Sequence, residues 1–187
     1  MSNYSNQSTE FLSKPYLNEM AYVALGVILL FLSSQISIPI EPVPITLQTF
    51  GVMLVGLLFE RKAAIYSILV YLCLGSMGAP VFANLSGGFH CLMGPTGGYL
   101  SGFLIAVAVM ASLRQYLSNR NIWHIAFNCL IGTTLILICG IARLSHFVGF
   151  KAAIQGGLIP FIFPGLIKAF LLAISVRFLR LGQRNDA

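Results

Sequence analysis

Lys168 is the one charge inside an otherwise apolar run, Gly156 to Val176. A lysine at the centre of a membrane helix costs about 2.5 to 3.5 kcal/mol on insertion scales, so such a residue faces a cavity, meets a partner or reaches for the interface. Nine residues separate it from Arg177, about 13 Å at the helical rise, which is too far for easy snorkelling to that end. If the helix starts at Pro164, a good first-turn residue, Lys168 stands about one turn from a helix N-terminus, where free N–H groups and the dipole also favour an anion or a carbonyl oxygen. Two readings stay open: a ligand contact, and a structural lysine snorkelling outward.

Neutral hydrogen-bonding groups gather in a second place. The segment Ile38-Pro-Ile-Glu-Pro-Val-Pro-Ile-Thr-Leu-Gln-Thr49 has three prolines, which forbid a regular helix, and it brings together Thr46, Gln48 and Thr49. Each of these side chains can both donate and accept.

A third place is the glycine-rich stretch Asn84-Leu-Ser-Gly-Gly-Phe-His-Cys-Leu-Met-Gly-Pro-Thr-Gly-Gly-Tyr-Leu-Ser-Gly102. Gly94, Gly98, Gly102 and Ala106 recur every four residues, which on a helix makes one stripe of small residues and lets helix backbones approach closely in a membrane. Gly87 and Gly88 precede any helical pattern, and paired glycines there indicate a chain that turns or approaches something closely. The three irregular segments, including the Pro160 and Pro164 region, fit the wall and lid of a pocket, because non-helical backbone at membrane depth must be buried in protein or line a cavity.

Other chemistry finds little support. Cys73, Cys91, Cys129 and Cys139 have no C-x-x-C or zinc spacing and read as small apolar fillers. His90, His124 and His146 form no H-E-x-x-H motif and have no carboxylate cluster beside them, so no metal site is expected. Glu19, Glu41, Glu60 and Asp186 fall at the ends of apolar runs or between them, which leaves an intramembrane enzyme without an acid–base pair.

The elements that hold these groups follow from composition. Hydrophobic residues make up 57% of the 187 and charged residues 9%, more apolar surface than one water-soluble core can hide. The uncharged intervals are Ala21–Ile40, Ile45–Phe59, Ala63–Gly75, Gly97–Leu113, Asn121–Ala142 and Gly156–Val176, against the roughly 20 residues needed to cross a bilayer. The second and third, split by Glu60-Arg61-Lys62, predict a tight helical hairpin with one end inside the protein. An all-α, six-helix integral membrane domain over 19–180 results, with a polar tail 1–18 and a C-terminal tail 181–187.

Six spans put both termini on one side together with Lys14, Arg61, Lys62, Arg114, Arg120, Arg177, Arg180 and Arg184, against Arg143 and Lys151 on the other. The bias toward the cytoplasm predicts cytoplasmic termini and an outward-facing pocket. It also accounts for the formal charge of +6 without a nucleic-acid partner.

Four blocks, Pro44-Ile-Thr-Leu-Gln-Thr49, Gly78-Ala-Pro-Val-Phe-Ala83, Gly94-Pro-Thr-Gly-Gly-Tyr-Leu-Ser-Gly-Phe103 and Ile159-Pro-Phe with Leu166-Ile-Lys-Ala169, resemble the signature blocks of the BioY family. That family comprises the biotin-specific substrate-binding components of energy-coupling factor (ECF) vitamin transporters. The blocks stand in the family's order from about Met20 to Arg180. The resemblance implies capture of biotin as the transported substrate at the outer face of a bacterial plasma membrane, with no cofactor. It also implies a transmembrane coupling protein and ATPase subunits as partners. No Gly-x-x-x-x-Gly-Lys-Ser/Thr loop occurs in the chain, so energy must come from such partners, or the chain is a stand-alone facilitator for biotin or a related acid.

Carried over by motif, Asn84 and Lys168 resemble the family's biotin contacts, with Gln48, Thr49 and Tyr99 from matched blocks beside them and Gly87 and Gly88 next to Asn84. An amide such as Asn84 can pair with the donor and acceptor of a ureido ring, and an aromatic ring such as Tyr99 can cover a thiophane. Lys168 can meet the valerate carboxylate or the ureido oxygen. One departure is plain: Gly165 stands where the family usually has an aspartate three residues before the lysine. A second is the absence of an Ala-x-x-x-Ala docking pattern in the first span, where Leu25 follows Ala21 and Ile28 follows Ala24.

Overall fold

The computed structural model describes residues 14–117 and 121–182 of the chain. Arg120, the first thirteen residues of the expected polar tail and residues 183–187 of the expected C-terminal tail lie outside the described residues.

Helix α1 (Lys14–Gln35) starts before Ala21 and stops before Ile40, because Pro39, Pro42 and Pro44 cannot continue it. The chain instead forms two two-residue strands, β1 (Ser37–Ile38) and β2 (Ile45–Thr46), paired antiparallel with Ser37 opposite Thr46. Leu47 N–H donates to Ile36 O at 2.9 Å, which closes this hairpin against the end of α1. Helices α2 (Gln48–Leu58) and α3 (Arg61–Ser76) follow. Only Phe59 and Glu60 separate them, the tight hairpin expected from the charge triplet.

A single 3-10 turn (Ala83–Leu85) and a short helix α4 (Phe89–Met93) lead into α5 (Gly97–Leu113), whose bounds coincide with the fourth expected span. Helix α6 (Ile122–Val148) runs past Ala142 and is capped by Asn121, whose side chain accepts from Trp123 N–H at 3.0 Å. It ends at Gly149, with φ 81°, a backbone conformation open to glycine. Helix α7 (Phe150–Gly157) and helix α8 (Ile159–Gly182) complete the chain.

Two helices, α4 and α7, were not expected. They are short and lie in connections that carry no sustained apolar period. The start of α8 also differs from the expectation at Pro164. Pro160 occupies the first turn, where its missing N–H would be unpartnered anyway, and Pro164 lies inside the helix. Lys168 is therefore more than two turns from the helix start, and a helix N-terminus cannot be what favours its partner.

Three segments are long and apolar enough to cross a membrane, Leu17–Gln35, Ile122–Val148 and Phe150–Phe178, while α2 and α5 are shorter apolar helices. Outward faces such as Leu25, Ile28 and Leu32 on α1, and Ile167, Leu171 and Ile174 on α8, recur at helical spacing and are exposed. Such continuous apolar faces suit lipid rather than water. Inside, Leu30, Val52, Ile68, Tyr71, Phe103 and Ile136 form one buried cluster, and Met53, Leu57, Met110, Ile125 and Leu172 form a second toward α8.

The seam between α5 and α6 is made by small residues. A side chain at Gly98 would collide with the Cys139 carbonyl, and one at Gly102 would come within 3.1 Å of the Ile136 backbone. Ala106, one turn on, is fully buried. Gly94 departs from the stripe: it follows α4 and precedes α5, with its N–H bonded to His90 O at 2.8 Å. The spacing of four continues through Gly94, but Pro95 and the turn at Thr96 separate it from the helix.

Candidate functional site

One cavity of about 280 Å³ collects the chemistry-bearing segments. Its wall comes from the β1–β2 hairpin and the first turn of α2, the loop after α3, the first turns of α5, the middle of α6 and the start of α8. These are the C-terminal ends of α1 and α3 and the N-terminal ends of α2, α5 and α8, so alternation of helix direction brings them to one end of the bundle.

The apolar part of the wall combines four aromatic rings, Phe82, Tyr99, Phe103 and Phe161, with aliphatic residues such as Leu100 and Ile136. Tyr99 stacks on Phe161 with ring centroids 5.8 Å apart and planes at 28°. Its hydroxyl is committed elsewhere, donating to Gly157 O at 2.9 Å at the end of α7. Tyr99 thus offers the cavity its ring and not its hydroxyl. It can do so because Gly140 of α6 leaves room for that ring; a Cβ there would collide with it.

The polar part of the wall is neutral. Gln48, 5% exposed, donates through Nε2 to the Tyr71 hydroxyl at 2.7 Å and accepts at Oε1 from Thr46 Oγ1 at 3.1 Å. Tyr71 in turn donates to Val81 O at 2.9 Å. Gln48 is therefore the centre of a network that ties the hairpin to α3 and to the loop after it, while its amide keeps one acceptor site and one donor unused. Such a network fixes the wall it lines.

Asn84 also lines the cavity, in a left-handed conformation, φ 57°, followed by Leu85 at φ 53°. Ser37 Oγ donates to Asn84 Oδ1 at 2.7 Å. That bond uses one lone pair of the oxygen and leaves the amide nitrogen as a donor a ligand acceptor can use.

Thr49 lines the cavity, and behind it stands Lys168. The Lys168 ammonium donates to Thr46 O at 2.6 Å and to Thr49 Oγ1 at 3.1 Å. Lys168 is half-buried and is not itself part of the wall. Its charge lies one layer behind a neutral surface.

Gly87 and Gly88 are not in the wall either. Gly88, at φ 108°, donates its N–H to Gly75 O at 2.7 Å, and a side chain at Gly87 would collide with the Ala79 carbonyl. The pair packs the loop onto the end of α3, so the close approach is to the protein's own backbone.

Gly165 faces α6: a Cβ there would lie 3.1 Å from Thr133 Cγ2. No group of three His, Cys, Asp or Glu arranged to hold a metal occurs among the described residues. The wall carries no charged side chain. An arrangement of aromatic rings, amides and hydroxyls can hold a small, mostly apolar molecule that also carries hydrogen-bonding groups.

Among the wall residues that escaped the reading by residue type are Phe82, Ser86, Phe103 and Phe161. All of these but Ser86 lie inside the quoted sequence blocks, but phenylalanine is abundant here, 14 in the chain, and nothing local marks which of them faces a cavity.

The model of the BioY family matches residues 4–184 of the chain. A probable biotin transporter BioY of Rickettsia prowazekii is 35% identical over 183 residues, 97% of this chain and 94% of that protein. One of Pyrococcus horikoshii is 42% identical over 154 residues, 81% of this chain and 89% of that protein. Among solved structures, the crystal structure of the S-component for biotin from an ECF-type ABC transporter superposes with a TM-score of 0.79 at 28% identity, covering 96% of this chain and 94% of that one.

Proposed function

Because the chain belongs to the BioY family, we propose that it captures biotin at the outer face of a bacterial plasma membrane as the substrate-binding component of an ECF-type uptake transporter. Six spans with both termini cytoplasmic place the cavity end outward. A transmembrane coupling protein and partner ATPases supply the energy and release biotin inward.

The observation that carries the reading is that aromatic rings and the Asn84 amide line one small cavity. The rings of Tyr99 and Phe161 suit the thiophane and the apolar part of the valerate chain, and desolvation there strengthens each hydrogen bond to the ureido ring. Asn84, with its oxygen accepting from Ser37, donates to the ureido oxygen. Lys168 gives the neutral wall formed by Thr46 and Thr49 a positive field and polarises the Thr49 hydroxyl toward the carboxylate. With Gly165 in place of an acidic residue, ureido N–H donors turn to oxygens of the wall such as Gln48 Oε1 or the Thr49 hydroxyl.

Calorimetric titration of biotin into the detergent-solubilised protein tests this reading, with desthiobiotin and lipoate as comparisons. Saturable binding of biotin with weaker binding of lipoate is expected. No binding of biotin by a folded sample overturns it.

A further inference from the structure

The loop that carries Asn84 is bent in a way its own residues do not favour. Asn84 and Leu85 are both left-handed, with φ of 57° and 53°. Asparagine tolerates that region; leucine pays a steric penalty in it, because its Cβ crowds the following carbonyl. Leu85 gains little in return, since its side chain is 61% exposed. A conformation of this kind persists only where surrounding contacts over-determine it.

Those contacts come from the last turn of α1 and from α3. Ser34 Oγ and the Tyr71 hydroxyl both reach Val81 O, at 2.8 and 2.9 Å, and pin the start of the loop. Gln35 does something different. Its Nε2 donates to Phe82 O at 3.1 Å, and its Oε1 accepts from Leu85 N–H at 3.1 Å. Among the described residues outside the loop, it is the side chain that bonds on both sides of Asn84. The same amide is braced by Ser34, whose hydroxyl oxygen lies 2.6 Å from Gln35 Nε2. Two residues further along, Ser37 Oγ sets the Asn84 side chain itself.

We propose that Gln35 is a positioning residue for ligand capture: its amide clamps Phe82 and Leu85 and so holds Asn84 facing the cavity. The proposal rests on the reading of that cavity as the biotin site. Gln35 does not line the cavity and acts through Asn84. Without the clamp the loop relaxes toward ordinary backbone angles, and the Asn84 amide leaves the position Ser37 sets for it.

The test compares wild type, Gln35→Met, Gln35→Glu and the double variant Gln35→Met with Leu85→Asn. Methionine keeps the length of the side chain and loses both bonds; glutamate keeps the acceptor for Leu85 N–H and loses the donor to Phe82 O. Each is titrated with biotin, and amide hydrogen exchange of residues 81–88 is followed in the ligand-free protein. The expected result for Gln35→Met is faster exchange at Leu85 and a Kd raised about tenfold, with the melting temperature little changed. Asparagine at position 85 accepts the bent backbone without the clamp, so the double variant regains most of the affinity. A merely structural role for Gln35 would not be rescued in this way.

Unchanged affinity, or lost affinity without faster exchange in the loop, overturns the proposal. Should Gln35→Met fail to fold, Gln35→Glu decides alone, with a Kd raised about threefold expected and an unchanged Kd overturning it. If wild type binds no biotin, the functional reading fails and the proposal with it. That failure is told apart from a failure of the clamp because exchange at Leu85 still separates wild type from Gln35→Met when the clamp exists.

Discussion

The ammonium of Lys168 donates to the backbone carbonyl of Thr46 at 2.6 Å. This bond ties α8, near the end of the chain, to β2 near its start, and it holds the first hairpin against the cavity. Removing the charge therefore has two effects: the hairpin loses its tether and the cavity loses its positive field. Lys168→Met is expected to weaken biotin binding by more than about 1 kcal/mol, with the orphaned Thr46 carbonyl adding a smaller loss of stability. Calorimetry beside a melting curve separates the two effects, and an unchanged Kd would remove Lys168 from the site.

For Asn84 the amide and the backbone make separate contributions. Asn84→Gly keeps the left-handed backbone accessible and removes the donor. Its expected effect is a loss of about 1 kcal/mol or more in biotin affinity with little change in melting temperature. Asn84→Ala adds backbone strain and is expected to lose stability as well. Equal affinity in Asn84→Gly and wild type would take the amide out of ligand contact.

Tyr99 divides in the same manner. Tyr99→Phe keeps the ring stacked on Phe161 and loses the bond to Gly157 O. It should cost about 1 kcal/mol of stability and leave biotin affinity close to wild type. Tyr99→Ala removes the ring, opens a void beside Gly140 and should weaken binding as well as stability. Titrations of both variants, each with its melting curve, decide the point.

The α5–α6 seam permits no side chain at Gly98, where a Cβ would strike the Cys139 carbonyl and Arg143. Gly98→Val is expected to force the helices apart and to yield no monodisperse protein by size-exclusion chromatography in detergent. Ala106→Gly, on the same face, leaves only a small gap and should cost about 1 kcal/mol. A well-behaved Gly98→Val protein would mean that the helices do not meet as described.

Much of the helix layout was legible from residue order. The run Gly97–Leu113 emerges as α5 with the same bounds, because an apolar stretch between a turn at Thr96 and a charge at Arg114 has no other low-cost state in lipid. The hairpin at Glu60 was legible for the same reason. The start of α8 was misjudged because two prolines four residues apart both qualify as first-turn residues, and only packing shows that Pro160 holds that position while Pro164 is carried inside the helix. Helices α4 and α7 were invisible because five and eight residues are too few for a period to stand out.

For the site, residue types pointed to segments that share the cavity but not to their arrangement. Lys168 stood out because a charge in an apolar run is costly wherever it goes; that it bonds to Thr46 and Thr49 behind the wall depends on how α8 lies against the hairpin. Asn84 and Ser37 are 47 residues apart, and nothing in either neighbourhood announces the other.

The sequence by itself determined the solvent and the small-residue seam at Gly98, Gly102 and Ala106, since hydropathy and residue volume are local properties that add along the chain. Only the tertiary structure decided which polar groups share a cavity, which of them are already satisfied and which remain to meet a ligand. Hydrogen bonds are short-ranged and directional, so their partners exist only once distant segments have packed.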